Sequence, residues 1–251
     1  MTDTRTVVVT GGGRGLGADI SKAFHAEGDH VVIASRTDSG LAAQLGTRAR
    51  FVACDVTQPA SLHAAMAEAH QWTGRLDVVV NNAGVSAWRP LADIDEAFWA
   101  SMIDTNLKSV MFGAQAAVAR FDGAGVIINV SSLAGKRGSA NNAVYCAAKF
   151  GVNGLTQALA KELGARGIRV NAVCPVYIQT DGLLDALLDD KSPTQGRDTQ
   201  TYLKEFAASQ TALGRLPTGA QVAASCVFLA SAAAGAITGQ CINVDCGVMP
   251  Q

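Results

Sequence analysis

Short runs of β-branched and aliphatic residues alternate with longer stretches in which apolar positions recur every three or four residues. The runs Thr6–Thr10, His30–Ser35, Phe51–Cys54, Asp77–Asn81, Gly125–Ser131, Arg169–Cys174 and Gln240–Val244 predict strands. Several are apolar throughout instead of alternating, the pattern of parallel strands covered on both faces. Helical spacing covers Gly15–Glu27, Ser61–Trp72, Asp95–Phe121, Asn142–Leu163 and Thr218–Ala230. This alternation predicts an α/β fold: one doubly wound domain over residues 1–251, with a seven-stranded parallel sheet and helices on both faces. Only Asp181–Arg215, rich in Asp, Thr, Gln and Ser, steps outside the pattern. It predicts a long irregular insertion serving as a mobile lid over a substrate.

Composition narrows the function classes. With 20 basic and 21 acidic residues the net charge is −1, so no overall field draws the chain to nucleic acid or an anionic membrane. The longest apolar runs, such as that around Val78–Val80, are too short to span a bilayer. The polar stretch Met1–Thr6 leads straight into a strand pattern and carries no signal-peptide character. Cys54, Cys146, Cys174, Cys226, Cys241 and Cys246 form no Cys-x-x-Cys pair and sit in apolar or glycine-rich surroundings. They read as reduced, mostly buried thiols, which points to the cytoplasm. The four histidines show no metal-ligand spacing, so no metal is expected.

The first strand runs into Thr10-Gly11-Gly12-Gly13-Arg14-Gly15-Leu16-Gly17, followed by a helix. Such a turn lets the backbone approach a pyrophosphate and aims helix N-terminal amides at its charge. Gly13, Gly15 and Ala18 satisfy only the alanine variant of the dinucleotide spacing G-x-G-x-x-G. The second strand ends at Ser35-Arg36, where an acidic residue would bind the adenosine ribose hydroxyls of NAD(H). A serine followed by an arginine, with Arg14 as a second positive charge, suits a 2′-phosphate instead. The expected cofactor is therefore NADP(H), favoured over NAD(H).

Tyr145 and Lys149 lie four apart in a helical pattern and so project from one face. Tyrosine titrates near ~10, too high for a base at neutral pH, and a nearby ammonium, together with the positive nicotinamide ring of the oxidised cofactor, should lower that value. Tyr145 could then exchange a proton while hydride passes to or from a nicotinamide.

The surroundings of this pair resemble the short-chain dehydrogenase/reductase family along essentially the whole chain. The glycine turn is similar to the family's T-G-x-x-x-G-x-G. Asn81-Asn82-Ala83-Gly84 resembles its N-N-A-G segment, and Asn106 stands in the matching Thr105-Asn106-Leu107 of the fourth helix. Ser132 takes the place of the family's serine, thirteen residues before Tyr145, and Thr238-Gly239-Gln240 with Asp245 resembles its C-terminal signature. The resemblance implies a Rossmann-like domain. It implies a catalytic set in which Ser132 binds the substrate oxygen, Tyr145 is acid or base, Lys149 holds the nicotinamide ribose and Asn106 anchors a water leading to Lys149. It also implies that Asp55 and Val56 meet adenine, that Asn82, Ala83 and Gly84 flank the adenosine ribose, and that Pro175, Ile178 and Thr180 line the nicotinamide end. A homotetramer is the family's usual assembly.

Two positions depart from the family pattern. Val176 follows Pro175 where a glycine is usual, which predicts a narrower pocket. Cys246 replaces a glycine of the usual Asp-Gly-Gly and puts assembly in question.

Position alone nominates substrate contacts: Ser86 and Trp88 after the Asn-Asn-Ala-Gly segment, Ser139, Asn141 and Asn142 before Tyr145, and Tyr177 and Gln179 near the nicotinamide. This polar set favours a small sugar, polyol or hydroxy acid. Lys136 and Arg137 read as solvated loop charges, and Phe98 and Trp99 as core packing. The expected function is an NADP(H)-dependent interconversion of a secondary alcohol and a ketone or aldehyde. Two alternatives are a 3-oxoacyl-[acyl-carrier-protein] reductase, which would need a basic docking patch, and a non-catalytic dinucleotide sensor.

Overall fold

The computed structural model describes residues 4–250, so Met1–Asp3 of the polar N-terminal stretch lie outside the described residues. Its centre is a sheet of seven strands: β1 (Thr6–Thr10), β2 (His30–Ser35), β3 (Ala49–Ala53), β4 (Val78–Asn81), β5 (Gly125–Val130), β6 (Ile168–Pro175) and β7 (Cys241–Val244). Their order is β3-β2-β1-β4-β5-β6-β7, and all paired neighbours are parallel. The sheet is the one the apolar runs predict.

Period-two alternation divides the strand side chains between two cores. Val7, Val9, Ile33, Val78 and Val80 face one layer, packed on Ile20 and Phe24 of α1 (Gly15–Ala26). Val8, Val32, Val79, Ile127 and Val170 face the other, against Leu62 and Met66 of α3 (Pro59–Thr73). A short α2 (Leu41–Leu45) precedes β3. α9 (Gly219–Ala230) joins α1 on the first face through Val222, Cys226 and Leu229. α5 (Ser109–Val118) and α6 (Ala143–Leu163) join α3 on the second. No helix among the described residues is long and apolar enough to cross a membrane.

Three expectations need correction. The helix expected over Asp95–Phe121 is broken: α4 (Glu96–Ile103) and α5 are joined by a π turn at Asp104–Lys108 and end at Val118. The expected irregular insertion carries two helices, α7 (Asp181–Leu187) and α8 (Thr199–Gln210), capped by Thr180 and Asp198. Trp99, expected in the core, is 49% exposed on α4, while the Phe98 ring takes the Arg89 guanidinium at 4.3 Å.

Because β1 is flanked by β2 on one side and β4 on the other, successive connections diverge there and leave a crevice at the strand ends. Thr10, Ser35 and Asn81 close their strands at this edge. Everything of chemical interest lies along it.

Candidate active site

The crevice is shaped by backbone. Gly11 (φ +63°) donates its N–H to the Ala34 carbonyl at 2.7 Å, and Gly15 (φ +51°) opens α1. Both take left-handed conformations that a side chain would strain. A Cβ on Gly17 would overlap the Gly11 carbonyl and the Asn82 amide, so helix and turn touch with no spare volume. Asn82 stitches this turn to the end of β4: its Nδ2 donates to the Thr10 carbonyl at 2.9 Å, and Thr10 Oγ1 accepts from the N–H groups of Asn82 and Ala83 at 3.0 and 3.1 Å. Across the crevice, the Thr180 methyl lies 3.2 Å from where a Gly15 Cβ would be. The N-terminus of the twelve-residue α1 thus opens into a cleft that only glycines leave clear, which fits a pyrophosphate.

At the adenosine end, the hydroxyls of Ser39 and Ser35 stand 2.8 and 3.4 Å from the position of a Gly13 Cβ. Ser39 is a candidate that sequence reading missed; its signal was a hydroxyl four residues after Ser35, in a turn opening α2. Arg14 and Arg36 are both exposed beside it. Asp55 holds its carboxyl below the usual range, chiefly through hydrogen bonds from Thr57 and secondarily through the charge of Arg36. Val56 packs at the edge of the second core.

At the other end, α6 brings Tyr145 and Lys149 together, with the Lys149 ammonium 5.6 Å from the centre of the Tyr145 ring. Lys149 is 4% exposed and donates to the Val130 carbonyl at 2.8 Å. Burial pushes its ammonium down to about 8. Burial also pushes the Tyr145 phenol up to about 12, and a hydrogen bond with Ser132 only partly opposes this. Desolvation by the protein itself therefore raises the phenol, while the lowering expected above includes the positive nicotinamide ring of the oxidised cofactor. Ser132 ends β5 and caps the turn that follows, its Oγ accepting from Ala134 N–H at 3.1 Å.

The π turn explains how Asn106 reaches this group. Widening the helix by one residue turns a fully buried Asn106 so that Oδ1 accepts from Val85 N–H at 3.1 Å and Nδ2 donates to the Met102 carbonyl at 2.9 Å. A Gly84 Cβ would come 2.9 Å from Asn106 Oδ1 and 3.7 Å from Lys149 Nζ. Gly84, Asn106 and Lys149 thus form one cluster.

The chain matches a family model described as Enoyl-(Acyl carrier protein) reductase over residues 11–249. It is 35% identical to L-2,3-butanediol dehydrogenase of Corynebacterium glutamicum, over 98% of this chain and 99% of the relative. It is also 35% identical to the 3-oxoacyl-[acyl-carrier-protein] reductase FabG of Chlamydia muridarum, over 97% of each. Among solved structures, an actinorhodin polyketide ketoreductase with NADPH superimposes with a TM-score of 0.90 at 30% identity, covering 99% of this chain and 98% of that one. The chain is a short-chain dehydrogenase/reductase.

Within this short-chain dehydrogenase/reductase, the substrate nominations divide. Ser86 is half-buried, and Ser139 and Gln179 are exposed. Trp88 does not join a polar wall: it is 4% exposed and packs on Leu187 of α7 and Leu203 of α8. Tyr177 turns its hydroxyl to that of Tyr202 at 3.2 Å and its ring against Phe206 at 4.9 Å, and burial raises its phenol far above the ordinary value. Ile178 packs with the first core, and Thr180 caps α7. The wall facing α7 and α8 is thus apolar and aromatic, and polar groups remain only towards Asn142. Lys136, expected to be solvated, donates to the Cys241 carbonyl at 2.6 Å.

The two departures from the family pattern are accommodated differently. Val176 is buried beside Leu133 and Cys174 and lies outside the left-handed region. Cys246 keeps the left-handed turn that a glycine would favour, at φ +55°, with Asp245 bonding the N–H groups of Gly247 and Met249.

Proposed function

We propose that this enzyme reduces a ketone on a small polar substrate to a secondary alcohol with NADPH, and catalyses the reverse when oxidised cofactor is supplied. The observation that carries the reading is the convergence of a Ser132-bonded Tyr145 phenol and a buried Lys149 ammonium at the end of a glycine-lined crevice. Bound NADPH supplies the hydride to the carbonyl carbon.

The chain's own groups handle the oxygen. Ser132 donates a hydrogen bond to the carbonyl oxygen and stabilises charge as it develops there. Tyr145, fully protonated at neutral pH with its phenol at about 12, delivers the proton that completes the alcohol. Lys149, anchored by the Val130 carbonyl, keeps its other N–H groups for the phenol side and for the nicotinamide ribose.

NADPH is favoured over NADH because β2 ends on Ser35 where an acidic residue would bind the ribose hydroxyls of NADH. Ser35, Ser39, Arg14 and Arg36 surround that end and suit a phosphomonoester. The relative named 3-oxoacyl-[acyl-carrier-protein] reductase FabG supports a second reading in which the ketone is a carrier-bound 3-oxoacyl thioester. We place the enzyme in the cytoplasm, where its six cysteines, all unbridged, would stay reduced. We also propose a homotetramer, for which Trp99, Met111 and Phe150 offer exposed apolar area on α4, α5 and α6.

Titration with NADPH and NADH, followed by a screen of small hydroxyketones against 3-oxoacyl thioesters, tests the proposal. NADPH oxidation by hydroxyketones is the expected result. Oxidation by thioesters alone would replace the substrate class, and tight binding without any turnover would leave only a sensor.

A further inference from the structure

Asn153 continues along α6 the four-residue spacing of Tyr145 and Lys149, and it is 8% exposed. Asparagine is a poor residue for a helix interior, and a buried amide costs free energy unless it is bonded. Both ends of this one are bonded. Nδ2 donates to the Gly135 carbonyl at 2.8 Å, and Oδ1 accepts from the Cys174 thiol at 3.8 Å. Neither the proton transfer nor the cofactor cradle uses this residue.

Gly135 ends the single 3-10 turn Leu133–Gly135, which follows directly on Ser132. That turn fixes the serine side chain through its own backbone. Ser132 Oγ accepts from Ala134 N–H at 3.1 Å, and Gly135 N–H donates to the Ser132 carbonyl at 2.9 Å. The serine hydroxyl is also bonded to the Tyr145 phenol. A pivot of the turn therefore carries Oγ with it.

α6 holds the turn at two places: at Tyr145 through Ser132, and about two helical turns further on at Asn153 through Gly135. Between them, Ser131 Oγ donates to the Lys149 carbonyl at 3.3 Å. Helix and turn lie flush. A Cβ on Gly135 would stand 2.6 Å from the Lys149 carbonyl oxygen, 2.8 Å from Ser131 Oγ and 2.9 Å from Asn153 Nδ2.

We propose that Asn153 is a positioning residue of the reaction, whose amide holds the far end of the Ser132 turn against α6 and so keeps the serine hydroxyl in register with the Tyr145 phenol. Ser132 and Tyr145 serve the same substrate oxygen, so their separation matters more than the place of either. A turn held at one point can swing about it, and a second hold removes that freedom. Misplacing a reacting group by about 1 Å costs up to about a hundredfold in rate. Cys174, fully buried in β6, orients the amide by bonding Oδ1, which leaves Nδ2 to face Gly135. This role rests on the reductase reading above and adds to it a residue that acts only through Ser132.

The test is a double-mutant cycle on NADPH-dependent reduction of 1,3-dihydroxypropan-2-one, with an acetoacetyl thioester as second substrate. Asn153→Leu keeps the bulk and deletes the amide. It should lower kcat by about tenfold, with the NADPH dissociation constant within about twofold of the parent's. Ser132→Ala should lower kcat by about a hundredfold. Because Asn153 acts through Ser132, adding Asn153→Leu to Ser132→Ala should lower kcat by no more than about twofold further. A full tenfold loss in that background would assign Asn153 to the general packing of α6 and overturn the positioning role, as would a single variant with parental kcat. Either result leaves the reductase reading intact, whereas a parent that oxidises NADPH with neither substrate would overturn both. If Asn153→Leu does not fold, Asn153→Ala takes its place in the same cycle.

Discussion

The two ends of the crevice are built by opposite means. At the pyrophosphate end, backbone and small residues pack closely around an open cleft: Gly17 against the Gly11 carbonyl, Asn82 on Thr10, Gly11 on Ala34. At the reacting end, side chains dominate and remain in tension with their surroundings. Burial pushes the Tyr145 phenol up to about 12 and the Lys149 ammonium down to about 8, Asn141 is strained, and Trp88 and Asn142 keep unspent polar atoms. The difference teaches where function resides in this fold. A cofactor that never changes can be met by a rigid cradle of backbone, whereas chemistry and selectivity rest on side chains.

If this contrast is right, the largest effect outside the proton-transfer group comes from filling the cradle. Gly17→Val should cost roughly 3 kcal/mol or more of stability and abolish NADPH binding, because no neighbour can yield; calorimetric melting with and without NADPH checks both. A variant that melts normally and binds NADPH would show that the cradle has slack.

Next comes the titration of Lys149. With its ammonium at about 8, kcat/KM for reduction should fall about tenfold for each pH unit above that value, and Lys149→Arg should move the limb upward. The stability effect has a defined sign. Between about 8 and the ordinary 10.5 the unfolded chain holds the proton that the folded chain has released, so this group's contribution to stability rises with pH through that window. A pH–rate profile and urea melts at several pH values would measure the two effects.

Smaller still is the effect of Arg36→Asp. A carboxylate there repels a 2′-phosphate and accepts from ribose hydroxyls, so the NADPH-to-NADH preference should drop by about tenfold or more. An unchanged ratio of the two dissociation constants would remove Arg36 from the cofactor site. The smallest effect belongs to Gly182 in α7, where a Cβ meets nothing within 4 Å. Gly182→Ala should raise stability by at most about 1 kcal/mol, in contrast to Gly17, as urea midpoints would show.

Most of the sheet was legible because each buried strand is a run of aliphatic residues between glycine or polar breaks, as at Val7–Val9 and Val78–Val80. The site's order along the chain was legible for the same reason at Thr10, Asn82 and Ser132, which each follow such a run, and Tyr145 was legible from its four-residue spacing to Lys149. The π turn was not, because apolar spacing continues across Asp104–Lys108 and one extra residue in a turn leaves the pattern intact. α8 was hidden by its polar composition, although Asp198 followed by Thr201 was an available cap signal. Trp99 was misplaced because helical spacing does not say which side of α4 meets the core. How strongly the protein desolvates the phenol was not legible either, because burial is a property of the assembled fold.

The central claim is that Tyr145 supplies the proton while the cofactor is secured without its hydroxyl. Rapid-mixing turnover of Tyr145→Phe, paired with its NADPH dissociation constant, tests it most directly. The account predicts a kcat lowered by about a thousandfold with NADPH affinity within about twofold of the parent. Turnover above about a tenth of the parent's would contradict it.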